Sequence, residues 1–372
     1  MIAVQPVGDQ PLRVEVINTL DGMEALASDW SALEARTPEA TGFQSFAWCH
    51  GWMKAALGTG KSCAPRIVAV YENGRLVMLW PVQTTKFPFV TVARWIGEPI
   101  TQYGDILAEE GHARFRWRKA AEQVILQWSD VDLFLFARLR ADGVFVRSGG
   151  VSSNEAGSHL APFVDLQGSL EPAHRHKSLE RRAKQLAKLG AVRFAEITEP
   201  DQREEMTRLA ITMKLGWLRS RRRFSAALSD STVVQFLTEL ARNGFLRIHC
   251  VWVDNRVAAI ELGFGGATHR SLLGCFDVEF AEGSPGHTLT SKLIDRLRSE
   301  GATRLDLLWP SEGYKSNFAT GATPIVAHVI PTTLRGRAAA FAIEFLRRLV
   351  KKSFIIFFMP RKREERLVRT PA

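Results

Sequence analysis

A chain of 372 residues is long enough for two domains, each with a core of its own. Its 46% hydrophobic and 24% charged content is that of a globular protein and excludes a disordered or collagen-like chain. The net charge of +10 is unevenly spread: eleven basic against three acidic residues stand from Arg335 onward, and the remainder is nearly balanced. A basic tail on a neutral body argues against a nucleic-acid-binding protein.

No secretory pattern is legible over Met1–Leu20, and Cys49, Cys63, Cys250 and Cys275 are widely spaced with no Cys-x-x-Cys pair. Both features point to a reducing cytoplasm and to neither a zinc motif nor a disulfide framework. Further along, Arg66–Trp80 reads as strand, polar turn, strand. An amphipathic helix over Ala113–Trp128 and a strand over Asp132–Leu139 follow it. Between them and the hairpin lies Tyr103–His112, where Glu109 and Glu110 would repel an anionic ligand. A Gly/Ser/Asn-rich stretch, Gly149–Ala173, interrupted by a strand-like Ala161–Leu166, marks the boundary between two units.

The second unit opens on a basic amphipathic helix in which Arg175, Lys177, Arg181, Arg182, Lys184 and Lys188 surround Leu179, Ala183 and Leu186. Trp217 precedes four loop arginines, Arg219 and Arg221–Arg223. Three strands are expected next, over 245–253, 257–264 and 269–276, with turns at Asp254-Asn255 and Gly265-Gly266. Gly283-Ser-Pro-Gly-His-Thr288 then leads into an amphipathic helix whose core stripe is Leu289, Leu293, Ile294 and Leu297. A turn of this kind leaves backbone N–H groups open at the positive end of a helix, a seat for phosphate or pyrophosphate. Its plainer reading is a helix cap. The strand Arg304–Leu308, a short helix near Tyr314–Phe318 and a strand over Pro324–Ile330 complete the unit. The first half reads as a faint copy of the second, with strands, helix and returning strand in the same order.

This order, with Ser284-Pro-Gly286, Tyr314-Lys315 and Lys214-Leu-Gly-Trp217, resembles the GNAT acyltransferase superfamily. Within it, the chain looks like the branch linked to bacterial cellulose and exopolysaccharide biosynthesis, itself similar to FemAB-type aminoacyltransferases. The resemblance implies an α/β fold of two tandem GNAT-like domains, each a mixed, mostly antiparallel sheet flanked by helices. The expected division is 1–160 without a cofactor site, 161–333 with one, and a basic tail over 334–372. It also implies acyl-coenzyme A as co-substrate, with no metal, bound by Gly283, Ser284, Gly286, His287 and Thr288. The superfamily loop is usually richer in glycine and carries an Arg or Gln that this chain lacks.

Tyr314 is the expected proton donor to the departing thiolate, a phenol being protonated at neutral pH, and Lys315 would neutralise a phosphate or carboxylate. Asp277, just after the third strand, is the first choice of general base, ahead of Asp306 and Glu261. The plainer readings are a turn-starting Asp277 and a solvated face for the other two. Backbone N–H groups near Gly263–Phe264 or Gly274–Cys275 could polarise the thioester carbonyl. Arg182, Trp217 and Arg221 are expected to hold the acceptor, an amine on a sugar, nucleotide-sugar or lipid-linked saccharide. Aminoacyl transfer from a charged RNA, long-chain acylation of a lipid amine, and a non-catalytic scaffold subunit are the alternatives. Over Ala338–Met359, apolar residues alternate with Arg347, Arg348, Lys351 and Lys352, and Arg361–Arg363 follow. The pattern is too interrupted to span a bilayer and suits a helix lying on the anionic inner face of the cytoplasmic membrane.

Overall fold

The computed structural model describes residues 2–3, 12–151, 159–168, 173–311 and 313–357, with the backbone alone at 2–3, 173–178 and 346–357. The tail beyond residue 357 and parts of the Gly149–Ala173 stretch lie outside the described residues. The first half runs β1 (Ile2–Ala3), β2 (Leu12–Ile17), α1 (Leu20–Ala25), α2 (Ala27–Ala35), α3 (Phe46–Gly58), β3 (Cys63–Pro65), β4 (Ile67–Glu72) and β5 (Arg75–Trp80). It continues through β6 (Val82–Lys86), β7 (Thr91–Trp95), β8 (Leu107–Ala108), α4 (Arg114–Leu126), β9 (Leu133–Arg140) and α5 (Val144–Arg147). The second half begins with β10 (His159–Asp165), α6 (Ala173–Ala187), β11 (Val192–Ile197), α7 (Pro200–Ser220) and α8 (Ser231–Arg242). It then runs β12 (Arg247–Val253), β13 (Arg256–Phe264), β14 (Thr268–Phe276), α9 (Pro285–Ser299), β15 (Arg304–Asp306), β16 (Gly321–Pro331) and α10 (Leu334–Phe357).

Both halves follow one plan. The expected hairpin over 66–80 is β4–β5, closed by Asn73 and Gly74 at φ of 53° and 77°, the left-handed pair that a two-residue hairpin turn requires. Helix α4 then carries the chain to β9, which runs parallel to the backbone at Gly104. In the second half, β11 to β14 form an antiparallel meander, α9 crosses over, and β15 returns parallel to β14. The fold is therefore α/β with two tandem units of mixed, mostly antiparallel sheet flanked by helices. A five-stranded sheet has the order β1-β2-β4-β5-β8. The larger, eleven-stranded sheet has the order β11-β12-β13-β14-β15-β10-β16-β9-β7-β6-β3 and so runs through both halves. The expected boundary at residue 160 falls at the start of β10, inside this sheet.

The halves also share a core. Trp48 and Trp52 of α3 meet Phe236 of α8 edge-on at 4.9 and 5.4 Å, and Phe43 meets Phe264 at 5.0 Å. Edge-to-face pairs of this kind add about 0.5–1.5 kcal/mol each beyond their buried area. Among the polar links across the same boundary, the Tyr103 hydroxyl donates to Asp306 Oδ1 at 2.8 Å. The second half is thus braced by the first where β15 ends.

Candidate active site

Strands β14 and β15 pair only over Thr268–Arg270 and Arg304–Asp306, and then part. The wedge they leave is the mouth of a cleft of about 700 Å³. Gly274, Cys275 and Phe276 line one side, Leu305 and Leu307 the other, and the first turn of α9 closes the top. Diverging parallel strands expose backbone groups that a ladder would otherwise consume, so an elongated ligand can take the place of the missing strand.

The turn above the wedge is built for a helix start without a side-chain cap. A short 3₁₀ segment, Val278–Gly283, ends at Ser284, whose φ of 51° and ψ of 53° are left-handed. Pro285 then supplies the first helical position, and the Ser284 side chain makes no cap bond. Ser284, Gly286 and His287 line the cleft. The other two expected turn residues face elsewhere. A Cβ on Gly283 would stand 2.7 Å from Leu186 Cδ1 and 2.9 Å from Leu186 Cα, so this glycine lets α6 pack closely. Thr288 is buried, and its Oγ1 has no hydrogen-bond partner among the described residues.

Helix α6 contributes a cation to this end of α9. Arg182 Nη1 donates to His287 Nε2 at 2.8 Å, and Asn317 Nδ2 lies 3.3 Å from the same nitrogen. A guanidinium can only donate, so His287 Nε2 is the acceptor and the ring is neutral. Partial burial, with the Arg182 charge adding to it, brings His287 down from 6.5 to about 4. Arg182, expected at the acceptor, therefore stands beside the first turn of α9, against His287.

The opposite wall comes from α7. Lys214 Nζ donates to the Gly274 carbonyl at 3.3 Å and lies 4.9 Å from the Trp217 ring, whose other neighbour is the Arg221 guanidinium at 5.0 Å. Trp217, Arg221 and Arg223 line the cleft with Lys214, so the expected acceptor residues from this segment do meet there. Lys214 was expected only as part of the resemblance, not as a site residue. Its position on the face of α7 turned to β14 is the signal that would have found it.

The expected catalytic residues separate. Tyr314 lines the cleft, and its hydroxyl would be 3.8 Å from a Cβ placed on Gly274. Lys315 is buried and donates to the Leu308 and Pro310 carbonyls at 3.0 and 2.8 Å, so it holds the loop after β15. Asp277 does not line the cleft. It caps the 3₁₀ segment through Glu279 N at 3.0 Å and accepts from Arg256 at 3.1 Å, which is the turn-starting role. Gly274 and Cys275 border the wedge, whereas Gly263 and Phe264 do not.

The two lesser candidates for general base, Asp306 and Glu261, are buried, not on the solvated face of their plainer reading. Asp306 accepts from Tyr103 and from Leu308 N at 2.9 Å. Glu261 reaches the cleft wall and accepts from His249 Nδ1 at 2.9 Å and His269 Nε2 at 3.1 Å. Burial raises a carboxyl, but the His269 charge and the two imidazole hydrogen bonds outweigh it and bring Glu261 down to about 2. In the first half, Glu109 is paired with both Arg36 and Arg75, so it is a neutralised strut rather than a free negative charge.

Residues 173–316 match the family model of the acetyltransferase (GNAT) domain. Among solved structures, FemX is similar over 88% of this chain and 99% of its own, at 12% identity and a TM-score of 0.58. A conserved protein of unknown function from Bacteroides thetaiotaomicron matches over 85% and 99%, at 10% identity and a TM-score of 0.55. The C-terminal domain (DUF2156) of a candidate lysylphosphatidylglycerol synthetase from Agrobacterium fabrum matches over 86% and 95%, at 11% identity and a TM-score of 0.52. At these identities the likeness is one of fold, and it extends across both halves. No curated protein sequence matches. Among the described residues no helix is long and apolar enough to cross a membrane.

Proposed function

We propose that this protein is an N-acyltransferase that moves an acyl group from coenzyme A to an amine. The observation that carries the reading is the wedge between β14 and β15 beneath an uncapped helix start flanked by Arg182. A pyrophosphate suits the first turn of α9, where amide dipoles and the guanidinium attract it. The pantetheine arm, itself a string of amides, can pair with the open edge at Gly274–Phe276. The thioester then lies near Tyr314.

The chemistry is direct attack by the amine on the thioester carbonyl. An acyl-enzyme is disfavoured because burial pushes the Cys275 thiol up to about 12, leaving almost no thiolate at neutral pH. Tyr314 donates a proton to the departing thiolate, a role within the usual ~10²–10⁴-fold range of positioned acids. Since Asp277 is spent on a cap, the proton of the incoming ammonium leaves through solvent at the α7 mouth. Lys214, Arg221 and Arg223 around Trp217 favour an acceptor that bears phosphate, such as a nucleotide-sugar or lipid-linked saccharide of a surface polysaccharide.

A position on the inner face of the cytoplasmic membrane would bring the enzyme to such acceptors. The support is α10, which leaves Leu334, Phe341 and Phe345 largely exposed on a helix rich in Arg and Lys. A second reading, aminoacyl transfer from a charged RNA or onto a lipid, is favoured by the fold shared with FemX and the candidate lysylphosphatidylglycerol synthetase. Thiol release from acetyl-coenzyme A across a panel of amino sugars, nucleotide-sugars and lipid amines separates the two. Turnover that needs aminoacyl-RNA and leaves acetyl-coenzyme A untouched would replace the first reading with the second.

A further inference from the structure

His249, Glu261 and His269 lie on three neighbouring strands and are almost wholly buried beneath α9. Each offers one atom, and the three atoms lie within 4.8 Å of one another. Two imidazoles and a carboxylate form a common donor set for zinc. We propose that His249, Glu261 and His269 bind one divalent ion of the zinc class at the inner wall of the cleft.

Hydrogen bonding alone leaves the cluster poorly explained. His249 Nε2 and His269 Nδ1 are buried with no hydrogen-bond partner among the described residues. Whichever way the rings are protonated, these two nitrogens stay unpaired, and three apolar side chains would fill the space without that cost. An ion would be held by the inner nitrogens, His249 Nδ1 and His269 Nε2, together with Glu261, and the two outer nitrogens would keep their protons; its charge gives the burial of two imidazoles around a carboxylate a cause. The outer face of His249 has a carboxylate near it, with Glu196 Oε2 4.0 Å from Nε2, the kind of group that orients a metal-bound imidazole.

The backbone makes room for the cluster at one point. A Cβ on Gly263 would lie 2.2 Å from His269 Nε2 and 2.4 Å from Glu261 Oε1, so only glycine lets these ligand atoms converge. A β-bulge between Leu262 and Gly263 re-aims the strand at the same place. Glu261 borders the cleft, so a remaining coordination position would face the acyl donor's seat. Sequence spacing conceals the set, because its members stand on separate strands with no short motif between them.

The test uses untagged full-length protein, expressed with zinc and passed through buffer exchange. Elemental analysis is expected to give about one equivalent of zinc per chain, falling to about a tenth or less in Glu261→Gln and in His269→Gln. Cobalt(II) added to chelator-treated protein should give visible absorption that saturates at about one equivalent, and the thermal midpoint should fall on chelation and recover with zinc. Where a variant fails to fold, the cobalt titration of chelator-treated wild type decides. A protein that holds no metal, gives no cobalt spectrum and is indifferent to chelator has a hydrogen-bonded His–Glu–His cluster only, and the proposal fails. Metal retained equally by both variants overturns it too, since the ion then sits elsewhere. Coenzyme A binding measured on the same samples is a separate readout, so loss of the acyl-donor reading and loss of the metal reading are distinguishable.

Discussion

Replacement of Gly286 by glutamate should weaken coenzyme A binding about 10²-fold while leaving the fold intact. A Cβ at this position would meet only Phe276 Cδ1, at 3.7 Å, an ordinary contact. Glycine inside a helix costs about 0.5–1 kcal/mol relative to alanine, so Gly286→Ala should raise the thermal midpoint slightly. A glutamate carboxylate there would stand about 5 Å from a pyrophosphate on the first turn of α9. At an effective dielectric of ~20, one pair of like charges at ~5 Å repels by ~3 kcal/mol, or ~10²-fold in affinity. Isothermal titration with coenzyme A, beside thermal unfolding of each variant, reads both effects. Gly283→Ala is the contrasting case, because its Cβ runs into the backbone of Leu186. It should lose about 1–3 kcal/mol of stability and keep its affinity once folded. If Gly286→Glu binds coenzyme A within about threefold of wild type, the pyrophosphate does not sit on α9.

The remaining predictions concern protons, the loop and the tail. His287 is neutral when folded down to about pH 4 but titrates at 6.5 when unfolded, so stability should fall as pH drops from 6.5 and level off below about 4. A bound pyrophosphate raises that value, so coenzyme A binding at pH 5.5 should take up protons, seen as a buffer-dependent enthalpy that His287→Gln lacks. Tyr314→Phe should lower kcat about 10–10²-fold with little change in the Kd for coenzyme A; an unchanged kcat would remove the tyrosine from the mechanism. Lys315→Met leaves the Leu308 and Pro310 carbonyls without their donor and should cost about 2–4 kcal/mol in denaturant unfolding. Truncation after Thr333 should leave a folded, coenzyme-A-binding protein that no longer sediments with anionic vesicles; equal sedimentation at low salt would rule out the tail as the anchor.

Strands β12 to β14, helix α9 and the repeated plan of the halves were legible because hydrophobic alternation and polar turns are local signals. The turn before α9 could be placed from Ser-Pro-Gly, since that trio begins helices for backbone reasons. Side-chain direction was not legible. Asp277 lies one residue past β14, where either the cleft or a cap was open to it, and the pull of Glu279 N and Arg256 decides for the cap. Lys315 follows Tyr314 directly, yet the carbonyls it serves belong to a turn whose shape no spacing reveals. Glu261 looked like one polar residue among apolar neighbours on a solvated face, because its partners stand on the strands to either side. Arg182 was assigned to the acceptor for its charge alone; the packing of α6 on Gly283 brings it to His287 instead.

Diffraction from crystals soaked with coenzyme A tests the central claim most directly. The account predicts pyrophosphate density over the first turn of α9, within about 3 Å of the Gly286 amide and beside Arg182, with the pantetheine running between Gly274–Phe276 and Leu305–Leu307 toward Tyr314. A fully occupied ligand lying outside the β14–β15 wedge, or a wedge that stays empty at saturating coenzyme A, would contradict it.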